Sequence, residues 1–562
     1  MPKKRQNAPA SSSWDSEVRL LAWLATCVSV ISFLYYFQRG DVLLYGDAIA
    51  HMNIARRVFD SKTPGLLQLG TVWLPLPHLL MIPFLLSSEI WRRGVGGSIP
   101  SMVAYVFGVI GMFRLVRGAL SRGFEPESAS RVAAWTAAFV FAANPNLIYM
   151  QTTAMGEAIY LALFLWVIVY FSEFVRGDAK ALTKCGLCLA AASLTRYDGW
   201  FLAVVMVASV VLLLLLSGDA KSNGAPTFRV PRTATVKFVL IAAAAPVLWL
   251  AYNGIVYRNP LEFANGPYSA KGIERRTQSA GSTGHPGSGK PLLAEMYFLK
   301  SAEANLAESE WLQRAWVLLA VAGMVAAAFA YRGKSSDTAS LASTAGLPLI
   351  FLLVPLPFYG LSVAYGGVPI FIPAWWPFTH YNVRYGLQLL PAFAVAIAIL
   401  VYMAVRAEHW ALRLRFACVL ALFAFVTTSY VSIWLAGPVC LMEAQVNMRT
   451  RNQLEAQVAT WLEKLPPNST LLMYLGDHVG AVQKAGIPFK DVINEANHRT
   501  WKQPSDPDGL WEHALADPSR YADYVVAFEG DSVWQAVHDR HLPELVEIHV
   551  TGQARTVLYR AR

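Results

Sequence analysis

Long apolar runs separated by short charged loops constrain this sequence more than any other feature. Each run approaches the length of about 20 residues that a helix needs to cross the hydrocarbon core of a bilayer. The chain of 562 residues is 55% apolar and only 15% charged, whereas a soluble domain carries about 25% charged residues. The pattern predicts an α-helical polytopic membrane protein with about eleven transmembrane helices, near residues 19–37, 100–119, 131–149, 157–175, 182–196, 199–217, 236–254, 312–331, 345–364, 386–405 and 416–436.

Loops rich in basic residues alternate along the chain with loops that are not. Short loops dense in Lys and Arg lie on the cytoplasmic side of a membrane. Such loops hold Lys3, Lys4 and Arg5; Arg114, Arg117 and Arg122; Arg176, Lys180 and Lys184; Lys221, Arg229, Arg232 and Lys237; Arg332 and Lys334; and Arg406, Arg413 and Arg415. We therefore expect a cytoplasmic N-terminus and an extracytoplasmic C-terminus. The net charge of +10 follows from this loop pattern, so no nucleic-acid partner is expected.

The N-terminal part of the chain divides into a tail and a membrane domain. Residues 1–18 form a basic cytoplasmic tail, and the apolar run after it is too long for a signal peptide and ends without a small-residue cleavage site. Residues 19–436 hold the predicted spans and two long outer loops, 38–99 and 255–311. The second loop contains a Gly/Ser-rich segment from Ser279 to Gly289, which is expected to be mobile.

Residues 437–562 have the composition of a soluble domain. An amphipathic helix is expected near 441–464, and strand-like runs follow at 470–476, 523–530 and 544–550. Apolar and β-branched runs separated by helical stretches predict a small α/β domain. With an odd number of spans before it, this domain is extracytoplasmic.

The first outer loop contains a predicted amphipathic helix, within Gly46 to Asp60, that carries candidate catalytic residues. Asp47 and His51 are four residues apart and share one helix face. Asp47 fits a general base or a metal ligand with His51 as its partner, or a helix N-cap. A Pro-rich segment near residues 63–86 follows and is expected to lie on the surface, because prolines interrupt a helix. Its His78 fits a structural role better than a catalytic one and is kept among the candidate substrate-binding residues.

Charged residues also stand at the outer ends of three spans. Glu157 heads the fourth span, where a carboxylate is either a favourable first-turn charge or a cavity residue. The run Arg196, Tyr197 and Asp198 splits one apolar stretch into two short spans. Arg196 fits a phosphate ligand, since a guanidinium reads phosphate well, or a simple ion pair with Asp198.

A fifth group opens the tenth span, in the sequence FTHYNVRYGLQLLPAF. Its polar residues Asn382, Arg384 and Tyr385 are candidate substrate ligands. Arg384 on the outer face opposes the positive-inside trend and calls for an anionic partner. An anionic lipid headgroup lies at that depth, and carboxylates of the loops are the alternative.

These features in this order resemble the GT-C glycosyltransferases. The match is to glycosyltransferase family 39-like enzymes, which include bacterial relatives of protein O-mannosyltransferases and of the lipid A aminoarabinose transferase. The resemblance rests on GDAIAHMNIARR after the first span, the Pro-rich TVWLPLPHLLMIPF, Glu157 at the head of the fourth span, LTRYDGW between split spans, and NVRYGLQLLP. It covers the organisation of residues 19–405.

The resemblance implies transfer of a sugar from a polyprenyl-phosphate donor to a protein, lipid or glycan acceptor, at the outer face of the inner membrane. It implies that Asp47 is the general base of an inverting reaction and that Glu157 orients donor or acceptor. Arg196 or Arg384 would hold the phosphate, and the second outer loop would close over the donor.

Three departures from the family bear on these roles. The protein O-mannosyltransferases carry an Asp-Glu pair in the first loop, whereas Ala48 follows Asp47 here. The Lys that precedes the Pro-rich segment in several relatives is absent, since Val72, Trp73, Leu74 and Pro75 stand there. The Asp-x-Asp pattern of the metal-dependent oligosaccharyltransferases is also absent. No metal and no cofactor are therefore expected, and the phosphate ligand is left open between the two arginines.

Two other functions compete with a transferase. A lipid or solute transporter or flippase would also have many spans, but it usually shows internal repeats, and none is evident here. A polytopic scaffold would leave the outer-face charges without a role. The pair Cys185 and Cys188 lies inside an apolar run, and we expect it to be structural because buried free cysteine behaves as a small hydrophobe.

Overall fold

The computed structural model describes residues 11–121, 127–218, 231–279, 284–332, 347–497 and 508–562. Some predicted features lie outside these residues, namely Lys3, Lys4, Arg5, Arg122, Lys221, Arg229, Lys334 and positions 280–283 of the Gly/Ser-rich segment. The α-helices are α1 (Ser11–Gln38), α2 (Gly46–Arg57), α3 (Leu76–Met81), α4 (Ser88–Arg92), α5 (Val95–Leu120), α6 (Glu127–Ala142), α7 (Pro145–Met150), α8 (Glu157–Val175), α9 (Ala179–Ser193), α10 (Asp198–Gly218), α11 (Arg232–Val256), α12 (Glu262–Asn265), α13 (Ala270–Ser279), α14 (Pro291–Ala304), α15 (Glu310–Arg332), α16 (Pro355–Tyr365), α17 (Leu390–Arg406), α18 (Leu412–Ala436), α19 (Val439–Leu462), α20 (Val479–Ala485), α21 (Leu510–Ala516), α22 (Pro518–Tyr521) and α23 (Ser532–Val537).

Short 3₁₀ helices and a small sheet complete the described structure. The 3₁₀ helices are Asp41–Leu43, Leu66–Leu69, Ile82–Phe84, Leu347–Leu353, Val383–Leu389 and Phe489–Asp491. The strands are β1 (Leu471–Met473), β2 (Val492–Ile493), β3 (Tyr524–Phe528), β4 (Glu544–Ile548) and β5 (Thr556–Arg560).

Nine helical segments of the described chain are long and apolar enough to cross a bilayer. They are α1, α5, α8, α10, α11, α15, α16 with the 3₁₀ turn before it, α17 with the 3₁₀ turn before it, and α18 running on into α19. Each predicted apolar run overlaps a helix of the described residues. Two of them, α6 with 16 residues and α9 with 15, are shorter than a full crossing of about 20 residues.

The core of the membrane domain is built around α5, α8 and α17. Their side chains are buried along most of their length, whereas α11, α15 and α18 expose most of theirs. This difference is expected when central helices contact only protein and peripheral helices face apolar surroundings. The fold class predicted from the sequence, a bundle of apolar helices with a small α/β region at the C-terminal end, is confirmed.

The C-terminal sheet has the strand order β2-β1-β3-β5-β4. Strands β2, β1 and β3 are parallel, with Leu471 opposite both Val492 and Tyr524, and β5 is antiparallel to β3 and to β4. The predicted runs at 470–476, 523–530 and 544–550 each contain a strand. The two-residue strand β2 and the strand β5 were not predicted.

The C-terminal region rests on the first outer loop. Asn53 of α2 donates to Gln483 of α20 (2.9 Å), and the backbone N–H of Lys490 donates to Asp60 (3.1 Å). Helix α19 carries the connection, since its first half is buried against the membrane domain and its second half packs on α20. The loop and the C-terminal region therefore hold each other above one end of the helices.

Candidate active site

Asp47 lies in the first turn of α2, at the edge of this end of the helices. The N-cap residue of α2 is Tyr45. Asp47 is therefore not an N-cap, which was one of the roles expected for it from the sequence. Its side chain is 42% exposed, and Oδ2 accepts a hydrogen bond from Nη2 of Arg384 at 2.7 Å. Helix α2 can lie close to α5 because residue 97 is a glycine, where a Cβ would overlap Met52.

Arg384 is the centre of the charged cluster. It lies in the 3₁₀ helix Val383–Leu389, and its side chain is only 6% exposed. Besides Asp47, its Nε donates to Glu157 Oε1 (3.2 Å) and its Nη1 donates to Glu443 Oε1. A buried arginine requires such partners, because an unpaired charge in a low-dielectric interior is strongly unfavourable.

Glu443 of α19 was not singled out from the sequence. It is fully buried, and besides Arg384 it accepts the backbone N–H groups of Asn382 (3.1 Å) and Val383 (2.7 Å). One carboxylate thereby fixes both the backbone and the side chain of the segment that carries Arg384. The sequence feature that could have pointed to Glu443 is the Gly437–Pro438 pair. It ends α18 and starts α19 a few residues before this glutamate.

Arg196 forms a second cluster beside the first. Its Nε lies 3.3 Å from both carboxylate oxygens of Asp198, its Nη1 donates to Glu157 Oε1 (3.0 Å), and its Nη2 donates to the Tyr359 hydroxyl (3.0 Å). Tyr359 in turn donates to Asp198 Oδ2 (3.0 Å). The ion pair between Arg196 and Asp198, one of the two roles expected for Arg196, is therefore present. Tyr359 also belongs to this cluster and was not predicted from the sequence.

Glu157 joins the two clusters. Its Oε1 accepts from both arginines, and the side chain is 1% exposed at the head of α8. Its Oε2 is buried and has no hydrogen-bond partner among the residues that the structure describes. Buried carboxylate oxygens are nearly always hydrogen-bonded, so this oxygen marks a position where a further donor group would be stabilised.

His51 and His78 form a buried pair beneath Asp47. His51 Nδ1 lies 2.7 Å from His78 Nε2, and the His51 ring packs on Trp73. Burial lowers the pKa of His51, which the nearby carboxylates of Asp47 and Glu157 only partly oppose. Burial, with the neighbouring His51 and Arg57, lowers the pKa of His78 well below its ordinary value. Burial thus favours the neutral form of both rings, and the contact that Asp47 makes is with Arg384.

Three further predicted residues lie around the clusters. The Tyr385 ring lies between the two arginines, 4.8 Å from the guanidinium carbon of Arg196 and 5.1 Å from that of Arg384. Tyr197 donates to the carbonyl of Val72 (2.8 Å) and so ties the Pro-rich segment to the split spans. Asn382 donates to the carbonyl of Pro369 (2.8 Å), which is a backbone-fixing contact.

The cluster as a whole contains more carboxylates than guanidinium groups. Four carboxylates (Asp47, Glu157, Asp198 and Glu443) face two guanidinium groups. Across the described ranges, no group of three His, Cys, Asp or Glu side chains is arranged to hold a metal ion. Charged residues at membrane depth are rare and are candidates for functional sites, and here the partly exposed carboxylate of Asp47 lies beside the buried Arg384.

Comparison with known proteins bears on the fold. No family model and no curated protein matches the sequence. The crystal structure of ArnT from Cupriavidus metallidurans bound to undecaprenyl phosphate aligns with a TM-score of 0.54 at 15% identity, over 98% of this chain and 99% of that one. The apo structure of the same protein aligns with a TM-score of 0.53 at 14% identity, with the same coverage. ArnT is an aminoarabinose transferase of the GT-C class, and this chain shares the GT-C fold over nearly its whole length, as the resemblance in the sequence predicted.

Proposed function

We propose that the protein is a membrane glycosyltransferase that moves a sugar from a polyprenyl-phosphate donor to an acceptor hydroxyl at the outer face of the membrane. One observation carries the proposal: Asp47, a partly exposed carboxylate, stands at the entrance to a buried cluster of arginines and acids at one end of the helices. The shared fold supports the general kind of reaction. The acceptor is a protein, a lipid or a glycan.

The donor phosphate would enter by exchanging with Asp47. Each arginine already contacts carboxylates, so a phosphate must replace one of them or share the guanidinium. Asp47 is 42% exposed, whereas Glu157 and Glu443 are at most 1% exposed, which makes Asp47 the partner most easily displaced from Arg384. Displacing Asp47 frees Nη2 of Arg384 to donate a charge-assisted hydrogen bond to a phosphate oxygen, and Arg196 lies within the same network.

This exchange would also release the base. In the structure Asp47 Oδ2 accepts a hydrogen bond from Arg384 Nη2 at 2.7 Å, and a phosphate bound to Arg384 would take the place of this carboxylate. Once the phosphate occupies Arg384, Asp47 is free to take the proton of the acceptor hydroxyl. The base then becomes active only when the donor is bound.

The reaction is a single displacement with inversion. Asp47 takes the acceptor proton, the acceptor oxygen bonds to the anomeric carbon, and the bond from that carbon to the phosphate oxygen breaks with its electron pair leaving on the phosphate. The arginines stabilise the charge that grows on the leaving phosphate. Glu157 Oε2, buried without a partner in the described structure, would accept a hydrogen bond from the sugar and orient it.

Asp47→Asn tests the role of the base. We expect transfer to fall by about 10²–10⁴-fold, as for other losses of a general base, while glycosylated polyprenyl phosphate accumulates in the membrane. The measurement is mass spectrometry of lipid extracts and of lipid that co-purifies with the protein. Asp60→Asn is the matched control, because Asp60 lies in the same outer loop and pairs with Arg56 (2.8 Å) outside the cluster.

Binding of undecaprenyl phosphate, the lipid in the similar ArnT structure, tests the exchange separately. Asp47→Asn should bind this lipid more tightly than the wild type, since Arg384 loses a competing carboxylate, and Arg196→Ala with Arg384→Ala should not retain it. Transfer at the wild-type rate in Asp47→Asn would refute the base assignment. Only bulk phospholipid on both the wild type and the double variant would refute the donor class and direct attention to transport.

A further inference from the structure

A cavity of about 770 Å³ opens at the opposite end of the helix bundle from Asp47. It lies between the first part of α1 and the last turns of α5 and α8, and its lining includes Arg19, Arg114, Glu173 and Arg176. The proposed transferase reaction uses none of these residues.

The cavity carries an excess of positive charge. Three of its lining side chains are arginines and one is a glutamate. Arg114 pairs with Glu173 at 2.7 Å while remaining 39% exposed. Among the described lining residues, Arg176 adds a second guanidinium to the pair of Arg114 and Glu173, and a bound anion would be stabilised there.

Arg176 is fixed in place by the backbone. Its Nη1 donates to the carbonyl of Gly118 and its Nε donates to the carbonyl of Ser172 (3.1 Å). Residue 118 must be small for this arrangement, because a Cβ there would approach Nη1 of Arg176 to 2.5 Å. A fixed guanidinium binds an anion at a lower entropic cost than a solvated, mobile one.

An apolar stripe leads from the cavity along α5. Val103, Phe107, Ile110 and Arg114 are spaced at intervals of four, three and four residues and thus share one helix face. Val103 is 50% exposed and Phe107 is 52% exposed. Trp166 borders the stripe, with its indole donating to the Phe107 carbonyl (3.0 Å) and the Arg114 guanidinium 5.4 Å from its ring centre. From residue 103 to residue 114 the helix rises about 16 Å, which is comparable to an acyl chain.

We propose that this cavity binds the phosphate headgroup of an anionic phospholipid from the surrounding leaflet, with one acyl chain along the stripe Val103, Phe107 and Ile110. A positive charge that only obeys the positive-inside rule needs neither a concave site nor an aromatic, apolar stripe beside it. A free phosphate would use the arginines but leave the stripe without a role. The inference stands independently of the transferase activity.

The test is native mass spectrometry of the full chain with equal amounts of phosphatidylglycerol and phosphatidylcholine. The wild type should retain phosphatidylglycerol preferentially. Arg114→Gln combined with Arg176→Gln should lower that preference by more than about fivefold, since each basic residue near a lipid surface contributes about a fivefold factor. Arg413→Gln, an exposed arginine at the same end of the bundle but outside the cavity, should leave it unchanged.

Two further variants guard against loss of folding as the explanation. Glu173→Gln removes the competing carboxylate and should raise phosphatidylglycerol retention, the opposite sign to the arginine variants. Phe107→Ser should lower phosphatidylglycerol retention without changing the binding of inorganic phosphate. Equal retention of both lipids by the wild type, an equal loss in Arg413→Gln, or unchanged phosphatidylglycerol retention in Phe107→Ser would each overturn the proposal.

Discussion

At the scale of single residues, Glu443 determines where Arg384 lies. It accepts the Arg384 side chain and the backbone N–H groups of the same segment. Because the carboxylate is buried, removing its charge leaves a guanidinium with fewer partners in a medium that cannot solvate it. We regard Glu443 as a positioning residue, since it contacts Arg384 and Arg384 is the group proposed to bind the phosphate.

Glu443→Gln should therefore reduce both stability and transfer. We expect a loss of unfolding free energy on the order of 3 kcal/mol and weaker binding of undecaprenyl phosphate. Glu455→Gln is a matched control on the same helix, because Glu455 is equally buried and pairs with Arg451 (3.1 Å) and Lys484 (2.7 Å). Both variants should lower the thermal unfolding midpoint, and only Glu443→Gln should change lipid binding. Equal lipid binding in the two would contradict the positioning role.

The sequence was informative about residues whose charge is energetically unfavourable because it lies at the depth of the membrane. Asp47, Glu157, Arg196 and Arg384 each interrupt or end an apolar run, and such positions at membrane depth require a partner or a role. Glu443 lies in an amphipathic helix, where a glutamate is ordinary. Its contact with Arg384 joins residues 59 positions apart, and no local pattern encodes a contact of that kind.

At the scale of elements, the junction between α18 and α19 sets the position of the acidic helix. Gly437 follows α18 with a φ of +97°, and Pro438 is the N-cap of α19. A Cβ on Gly437 would meet only Met442, at an ordinary 3.8 Å, so the requirement for glycine is conformational. The apolar pattern predicted both helices within a few residues, but the angle between them depends on this backbone conformation.

Gly437→Ala should strain this junction by about 1–3 kcal/mol and shift Glu443 away from Arg384. We expect a lower unfolding midpoint and a roughly tenfold loss of transfer, which corresponds to about 1.4 kcal/mol of lost transition-state stabilisation. Gly530→Ala is the control, because Gly530 also has a positive φ (+91°) and open space around it but lies in the C-terminal sheet region. If Gly530→Ala reduces transfer as much, the effect comes from general strain and not from the position of α19.

At the scale of the whole molecule, the two ends of the helix bundle differ in charge. One end carries the acid-rich cluster and the C-terminal region, and the other carries the arginines around the cavity between α1, α5 and α8, with the basic residues near Arg406 and Arg413. Short basic loops are retained on the cytoplasmic side. From this charge distribution we expect the acid-rich end to face outward, and the proposed chemistry depends on that orientation, because a polyprenyl-linked donor is required only where soluble nucleotide sugars are absent.

Cysteine labelling tests this orientation. Asp539→Cys, at a side chain that is 86% exposed in the C-terminal region, should react with a membrane-impermeant maleimide in intact spheroplasts. Glu408→Cys, in the exposed turn between α17 and α18, should react only after permeabilisation. The wild type gives the background, since its five cysteines are all buried or half-buried. The reverse labelling pattern would place Asp47 in the cytoplasm, where a nucleotide sugar could serve as donor, and would remove the main reason for a lipid-linked one.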